Sequence, residues 1–299
     1  MGAIQKQVLR RAWVNTVNSL QAKRWDNING LKDALGTIGD GIKKRFDILV
    51  TEARVGKYEE REIIQRLSIL TQEIKRFANS IGYDIEAQLR TQLSDLYKES
   101  YYRTAWQFDI GTPEKTLVKF AQLSDDQIRA AISQPFKGSM FSDRLFTIGD
   151  DAARLIQKDV TQGILLGRPI DATAEEIYTR FGDAGAGYMS RAQLIARTET
   201  IRARELARDQ LYRENADLIE EERWVSMESA CEICDPLDDT VTDLQPILDT
   251  HPNCVCTKRA VLKPWEQLEG GNEQPETECT YEPYDEWLKD KGIDISPEV

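Results

Sequence analysis

Residues 231–234, Cys-Glu-Ile-Cys, and 251–256, His-Pro-Asn-Cys-Val-Cys, carry four of the five cysteines of this 299-residue chain and its single histidine. The pattern is Cys231-x2-Cys234-x16-His251-x2-Cys254-x-Cys256. Two thiolates three positions apart on a turn can grip one metal ion, and a second pair returned by a hairpin closes a tetrahedron, the usual arrangement of structural zinc. Five candidates compete for four places. The preferred set is Cys231, Cys234, His251 and Cys256, with Cys254 facing away on the following strand. The alternative is four thiolates with His251 behind them as an outer donor. With four protein ligands no coordination position stays open for catalysis, and one structural zinc per chain is expected. A redox role for Cys231 and Cys234 would want the pair at a helix N-terminus after a strand in a βαβ unit, and the flanks offer no such unit. Cys279 stands apart, an unpaired thiol.

Outward from this cluster, 223–227 (Arg-Trp-Val-Ser-Met) and 255–261 gather β-forming residues, which predicts a small antiparallel sheet. Upstream, about 188–218 reads as one long helix carrying Arg191, Arg197, Arg202, Arg204, Arg208 and Arg213 beside Glu199, Glu205 and Glu214. Shorter helices are expected over 152–166, ended by Gly167-Arg168-Pro169, and after the capping box that opens at Thr173. Between Asp109 and Gly149 the periodicity fails around Gly111-Thr112-Pro113 and Gln134-Pro135, leaving a short helix capped by Ser124.

Nearer the N-terminus the apolar residues recur at helical spacing in three series: Leu31 to Leu49, Ile63 to Ile81, and Ile85 to Tyr101. Val55-Gly56 and Gly82 are read as breaks between them. The predicted architecture is mainly α. It comprises an elongated helical bundle over 1–122, a helical region over 123–262 that ends in a zinc-clipped antiparallel β-element at 222–262, and an extended acidic arm over 263–299. The arm's Trp265, Tyr281, Tyr284 and Trp287 are read as anchors for a groove on a partner.

The formal charge is −12, from 39 basic and 51 acidic residues, and it excludes a protein that grips nucleic acid with its whole surface. The charge is uneven: from Asp217 on there are 6 basic and 22 acidic residues, net −16, against 33 and 29 before it, net +4. Charged residues interrupt every apolar stretch, so neither a membrane span nor a secretory signal is expected, and the protein reads as made in the cytoplasm.

Three motifs in order, Pro135 to Leu145 (Pro-Phe-Lys-Gly-Ser-Met-Phe-Ser-Asp-Arg-Leu), Ile195 to Thr200 (Ile-Ala-Arg-Thr-Glu-Thr), and the two cysteine stretches, make 123–262 resemble the Mu F-type head morphogenesis family, minor head proteins of tailed phages. Phe136 stands where that pattern usually has Trp, and Val255 where it has Arg. The resemblance implies a non-catalytic structural protein of the virion, inside the capsid near the portal vertex, acting in head assembly, DNA packaging or genome delivery. Its implied partners are the portal protein, with the major capsid or scaffolding protein and packaged DNA as further ones. A metal-dependent nuclease or transferase is the rival reading, opposed by the lack of a second histidine and of a carboxylate pair at ligand spacing. A zinc-stapled adaptor without phage connection is a third.

The arginine-rich helix has two readings. Arg191, Arg202 and Arg213 are candidate phosphate contacts for packaged DNA, while Glu199, Glu205, Asp209 and Glu214 lie within helical reach and would absorb them as ion pairs. Arg197, Thr198 and Glu199 are expected to form an internal polar network that pins this helix to the zinc-bearing hairpin.

Overall fold

The computed structural model describes residues 60–135, 138–144, 194–226, 231–242, 251–252, 254, 256–271 and 282–296, with scattered helical residues between 44 and 51 and between 146 and 162. The apolar series from Leu31 to Leu49, the capping box at Thr173, Arg191 and Cys279 lie outside the described residues. Those residues are mostly helical, with one small antiparallel sheet.

The two apolar series on either side of Gly82 form a single 52-residue helix, Glu60–Gly111, rather than two. An isolated glycine costs a helix about 1 kcal/mol relative to alanine. Without a proline or a capping side chain beside it, that cost does not stop a helix with an apolar face to bury. The real stop is Gly111-Thr112-Pro113: Pro113 cannot continue the ladder, and the Thr112 hydroxyl donates to the Phe108 carbonyl at 2.9 Å. The chain then turns back along the helix, where the backbone N–H groups of Ala121 and Leu123 donate to the hydroxyls of Tyr101 and Tyr102, each at 3.0 Å.

The short helix Asp125–Ile132 begins as expected at Ser124. The Ser124 hydroxyl accepts from the Gln127 N–H at 3.3 Å, and the Gln127 carboxamide oxygen accepts from the Ser124 N–H at 3.0 Å. Replacing Ser124 with alanine removes one half of this reciprocal pair and should cost about 1 kcal/mol, read as a lower urea midpoint; an unchanged midpoint would show that the cap contributes nothing to the cooperative unit.

Residues 194–214 are helical, four short of the expected end. Buried Asn215 ends the helix by turning its side chain on the neighbouring loop, donating to the carbonyls of Lys119 (2.7 Å) and Leu211 (3.0 Å) and accepting from the Lys119 N–H (2.7 Å). A 3-10 turn then leads into strand β1, Ile219–Val225. The sheet is completed by β2, Val241–Thr242, and β3, Thr257–Leu262, in the order β2-β1-β3, all antiparallel. Glu222 lies opposite Ala260, Val225 opposite Thr257, and Arg223 opposite both Arg259 and Val241. Only β2 is new relative to the sequence reading, since two residues set among Asp and Thr give no pattern.

The described residues gather into two compact units, one containing those of Arg90–Lys137 and Arg197–Val299, the other those of Asp26–Leu89 and Gly138–Ala196. In the second, Tyr83 and Phe146 meet with ring centroids 4.8 Å apart. The first has a core of Phe108, Val118, Tyr212, Leu218, Ile219, Leu262 and Leu268, in which Phe108 and Tyr212 stack at 5.6 Å. Long helix and arginine-rich helix are also tied by polar contacts: Tyr97 donates to Gln210 at 2.6 Å, Ser100 to the Arg204 carbonyl at 3.1 Å, and Tyr101 to Glu214.

The reading of 263–299 as an extended arm is corrected. Trp265–Gln267 forms a 3-10 turn, Tyr284–Asp290 forms a helix, and Trp287 is fully buried. Trp265, Tyr284 and Trp287 pack against this chain's own long helix, and Tyr281 lies outside the described residues. Trp265 Nε1 donates to the Gly111 carbonyl (3.0 Å), Trp287 Nε1 to the Asp109 carboxylate (2.7 Å), and Trp106 Nε1 to the Glu282 carbonyl (3.0 Å). Arg103 lies 4.1 Å from the centre of the Tyr284 ring. A buried indole needs both apolar cover and an acceptor for its N–H, and the end of the long helix provides both. Net charge and proline content suggested an arm in solvent; three satisfied tryptophans outweigh them.

Candidate metal centre

The loop between β1 and β2 presents the first two cysteines. It is closed by Trp224 N–H on the Thr240 carbonyl and Asp239 N–H on the Trp224 carbonyl, both 2.9 Å, with Asp239 in the left-handed region at φ 57°. Within it the N–H groups of Cys234 and Asp235 both donate to the Cys231 carbonyl at 2.9 Å, and the Ser226 hydroxyl donates to the Cys234 carbonyl at 2.7 Å. This tight turn points Cys231 and Cys234 the same way. The segment entering β3 supplies the rest: the Cys254 N–H donates to the His251 carbonyl at 3.2 Å, and Cys256 directly precedes the strand.

The ligand atoms converge as two triplets that share Cys234: Cys231, Cys234 and His251, and Cys234, Cys254 and Cys256. His251 Nε2 lies 3.1 Å from Cys231 Sγ and 3.4 Å from Cys234 Sγ, and Cys234 Sγ is 3.7 Å from Cys254 Sγ. Around a tetrahedral zinc ion, bond lengths of about 2.3 Å to sulfur and 2.0 Å to nitrogen imply ligand separations of about 3.8 Å between sulfurs and about 3.5 Å between sulfur and nitrogen. The measured separations fall near those edges and far from a disulfide bond, and all four cysteines are free thiols. His251 Nδ1 lies 2.9 Å from the Pro252 carbonyl. A carbonyl only accepts, so Nδ1 carries the proton and Nε2 turns its lone pair to the sulfurs.

The surroundings treat the thiols differently. Backbone N–H groups of Cys234 and Ile233 lower the Cys231 pKa by stabilising its thiolate. Cys234 is pushed well above the usual thiol range, first by burial and then by hydrogen bonding to Cys231 and Cys254. A divalent cation would reverse that balance, because a coordinating thiol is deprotonated outright.

Cys254 does not face away, as the preferred ligand set assumed. It is buried and pairs with Cys234, because 251–256 lies before β3 begins and strand alternation does not govern it. Sequence reading identified the five residues and not their grouping.

Thr198 and Glu199 are buried, and Glu199 pairs with Arg202 at 2.8 Å, and Arg202 donates to the carbonyls of Gln134 and Pro135 at 3.2 and 3.3 Å. That pair fastens the helix to the 134–135 loop, and Arg197 Nε is buried without a partner. Glu205, nearly two turns later, joins helix to hairpin. It accepts from the Thr257 hydroxyl at 2.8 Å and from Arg204 Nε at 2.9 Å, and Arg208 reaches both it, at 3.5 Å, and Thr257. Burial alone would raise the Glu205 carboxyl, but Arg204, Arg208 and Thr257 hold it below the usual range. The spacing of Glu205 and Arg208 by three was visible in the sequence; their burial was not.

Arg202, buried in its ion pair, is withdrawn as a DNA contact. Arg213 is exposed, with Nε donating to the Asp209 carbonyl at 3.2 Å.

Deeper along the sheet, Lys258 lies 2.9 Å from Glu222 and 3.5 Å from Asp209, all buried. Burial pushes Asp209 up to about 6, with Lys258 opposing and Glu205 and Glu222 adding to the rise. A carboxyl whose folded pKa exceeds its unfolded value favours folding while protonated, so its contribution is complete below about pH 3.8 and disappears as pH rises towards 6. Asp209→Asn should therefore flatten the change in melting temperature between pH 4 and 6. A variant whose melting curve runs parallel to wild type across that range would contradict this assignment.

Residues 154–259 match the family model described as Phage Mu protein F like protein. The chain carries a Mu F-like region. The match covers about a third of the chain, ends inside β3, and so takes in the arginine-rich helix, Glu205 and all five ligand candidates. It begins downstream of the Pro135 to Leu145 motif. No curated protein and no solved structure matches the chain, and among the described residues no helix is long and apolar enough to cross a membrane.

Proposed function

We propose that the protein is a minor head protein of a tailed phage, a non-catalytic structural component made in the host cytoplasm and carried in the virion, inside the capsid near the portal vertex. The observation that carries this reading is the Mu F-like match over 154–259. Its role is in head assembly, DNA packaging or genome delivery, with the portal protein as principal partner and the major capsid or scaffolding protein as further candidates. Exposed Arg213, together with Arg191 outside the described residues, remains a candidate contact to packaged DNA. The cysteine cluster supports a structural part rather than a reaction centre, because it offers enough protein ligands to fill every place around a tetrahedral ion.

The ion we propose is one zinc per chain. Cys231, Cys234 and His251 form one side of its shell, and Cys254, with its measured 3.7 Å approach to Cys234, is the better fourth ligand than Cys256. Bound there, zinc acts as a cross-link between the β1–β2 loop and the segment entering β3. The test is native mass spectrometry of the full chain, alone and mixed with the portal protein of the same phage. A chain carrying one zinc and a stable complex with the portal are expected; a zinc-loaded chain that never associates with portal, capsid or scaffolding protein would overturn the head-protein role.

A further inference from the structure

Arg204 is a largely buried cation with an unspent donor. Its Nε is used on Glu205, but Nη2 is buried with no hydrogen-bond partner. Leaving a guanidinium N–H dry and unpaired is costly, so a stronger acceptor than the metal-free polypeptide offers is implied. Position narrows what it is. Arg204 Nε and the Thr257 hydroxyl lie 2.9 and 2.8 Å from the same Glu205 oxygen, so they stand within about 6 Å of each other, and Thr257 directly follows Cys256. A second buried N–H without a partner, Trp224 Nε1, belongs to the side chain packed on Cys234, Cys254 and Cys256. Two unsatisfied donors thus border one sulfur cluster. Neutral thiols are weak acceptors, whereas metal-bound thiolates are strong ones.

The charges agree. Arg208 and Glu205, deeply buried, and Arg204, largely so, sum to +1. A zinc ion with three thiolates and a neutral imidazole carries −1, and with four thiolates −2. Farther from the cysteines, Lys258 with Glu222 and Asp209 sums to −1 when all are charged, so the layer between helix and sheet is polarised with its positive end at the sulfurs. Burial lowers the Arg204 pKa, and Glu205 and Cys254 are among the groups that hold it up.

We propose that Arg204 is the counter-cation of the metal–thiolate centre, its Nη2 donating to the Cys254 sulfur once the ion is bound, and that the centre it balances is three thiolates with His251. This rests on the metal reading above. Arg204 is then a positioning residue, and through Glu205 it couples the arginine-rich helix to the clip.

The experiment uses the full chain, with zinc affinity measured against a chromophoric chelator under reducing conditions and the cobalt-substituted protein examined for its thiolate-to-metal charge-transfer band. Arg204→Gln should weaken zinc binding about 10- to 100-fold, the range expected for outer partners of metal ligands, and shift the cobalt band. Arg204→Lys, which keeps the charge, should lose less. Unchanged affinity and band in Arg204→Gln would overturn the counter-cation while leaving the metal centre intact; a wild-type chain that takes up neither zinc nor cobalt would overturn both. Should Arg204→Gln fail to fold, Arg204→Lys is set against Arg208→Lys, the other guanidinium on Glu205. A loss confined to Arg204→Lys supports the assignment, and equal affinities in the two variants overturn it.

Discussion

Trp287→Ala is expected to destabilise the unit that contains it by about 3–5 kcal/mol, the cost of removing a large aromatic from a closed site. The side chain has no exposed surface, stacks with Tyr284 at 6.2 Å between centroids, and lies 5.5 Å from Phe120. Its loss also removes one of the two donors to Asp109 Oδ2, which retains Lys291 at 3.0 Å. Trp287→Phe keeps an aromatic ring but loses the N–H and part of the indole volume, so its loss should be smaller than that of Trp287→Ala yet at least the hydrogen bond's about 1–2 kcal/mol. Urea unfolding followed by circular dichroism gives both numbers. If Trp287→Ala unfolds with the wild-type midpoint, the C-terminal helix is not part of the cooperative unit, and the aromatic anchors are once more available for another protein.

Cys234→Ser should have the largest effect on the metal centre, because Cys234 alone belongs to both ligand triplets. Structural zinc supplies about 10–16 kcal/mol of apparent binding energy in small peptide sites, and most of that should be lost with the shared ligand. The consequence is local. Limited proteolysis within 226–256 should accelerate, while the helical signal of Glu60–Gly111 persists, and chelation of the wild type under reducing conditions should reproduce the pattern. Cys254→Ser and Cys256→Ser then identify the fourth ligand, since only one of them should release the ion. Cleavage rates that are the same with and without chelator would mean that the hairpin holds itself together and the ion contributes nothing to its order.

Much of the site was legible because its chemistry is concentrated. Five ligand-type residues crowded into 26 positions point to a metal site by their density, and the strands on either side follow from β-forming residues in the right places. Ser124 was legible for a similar reason, since a capping box is a local pattern with a local cause. What escaped depended on distance through space. Nothing in the residue order marks Glu205 rather than Glu199 as the partner of Thr257, since both carry an arginine three residues on, and the choice is made by which turn of the helix faces β3. The grouping of Cys254 with Cys234 depends on the path of six residues before a strand. The arm was misjudged because composition describes the solvent's preference for a segment, whereas Trp265 and Trp287 answer to a groove more than 150 residues away in sequence. Gly82 was misjudged in the opposite sense, by giving one residue's propensity more weight than the apolar stripe that runs through it.

The Asp109–Trp287 hydrogen bond spans 178 positions, and that separation has a consequence for biosynthesis. At roughly 5–20 residues per second, a ribosome needs about ten to forty seconds to travel from one partner to the other. Throughout that interval Trp106, Phe120 and the indole-sized hollow beside Asp109 lack their cover, long after the helix bearing Trp106 and Asp109 can form. The nascent chain therefore presents a sticky cleft for most of its translation, and its yield in a cell should depend on chaperones that shield apolar surface until the last helix emerges.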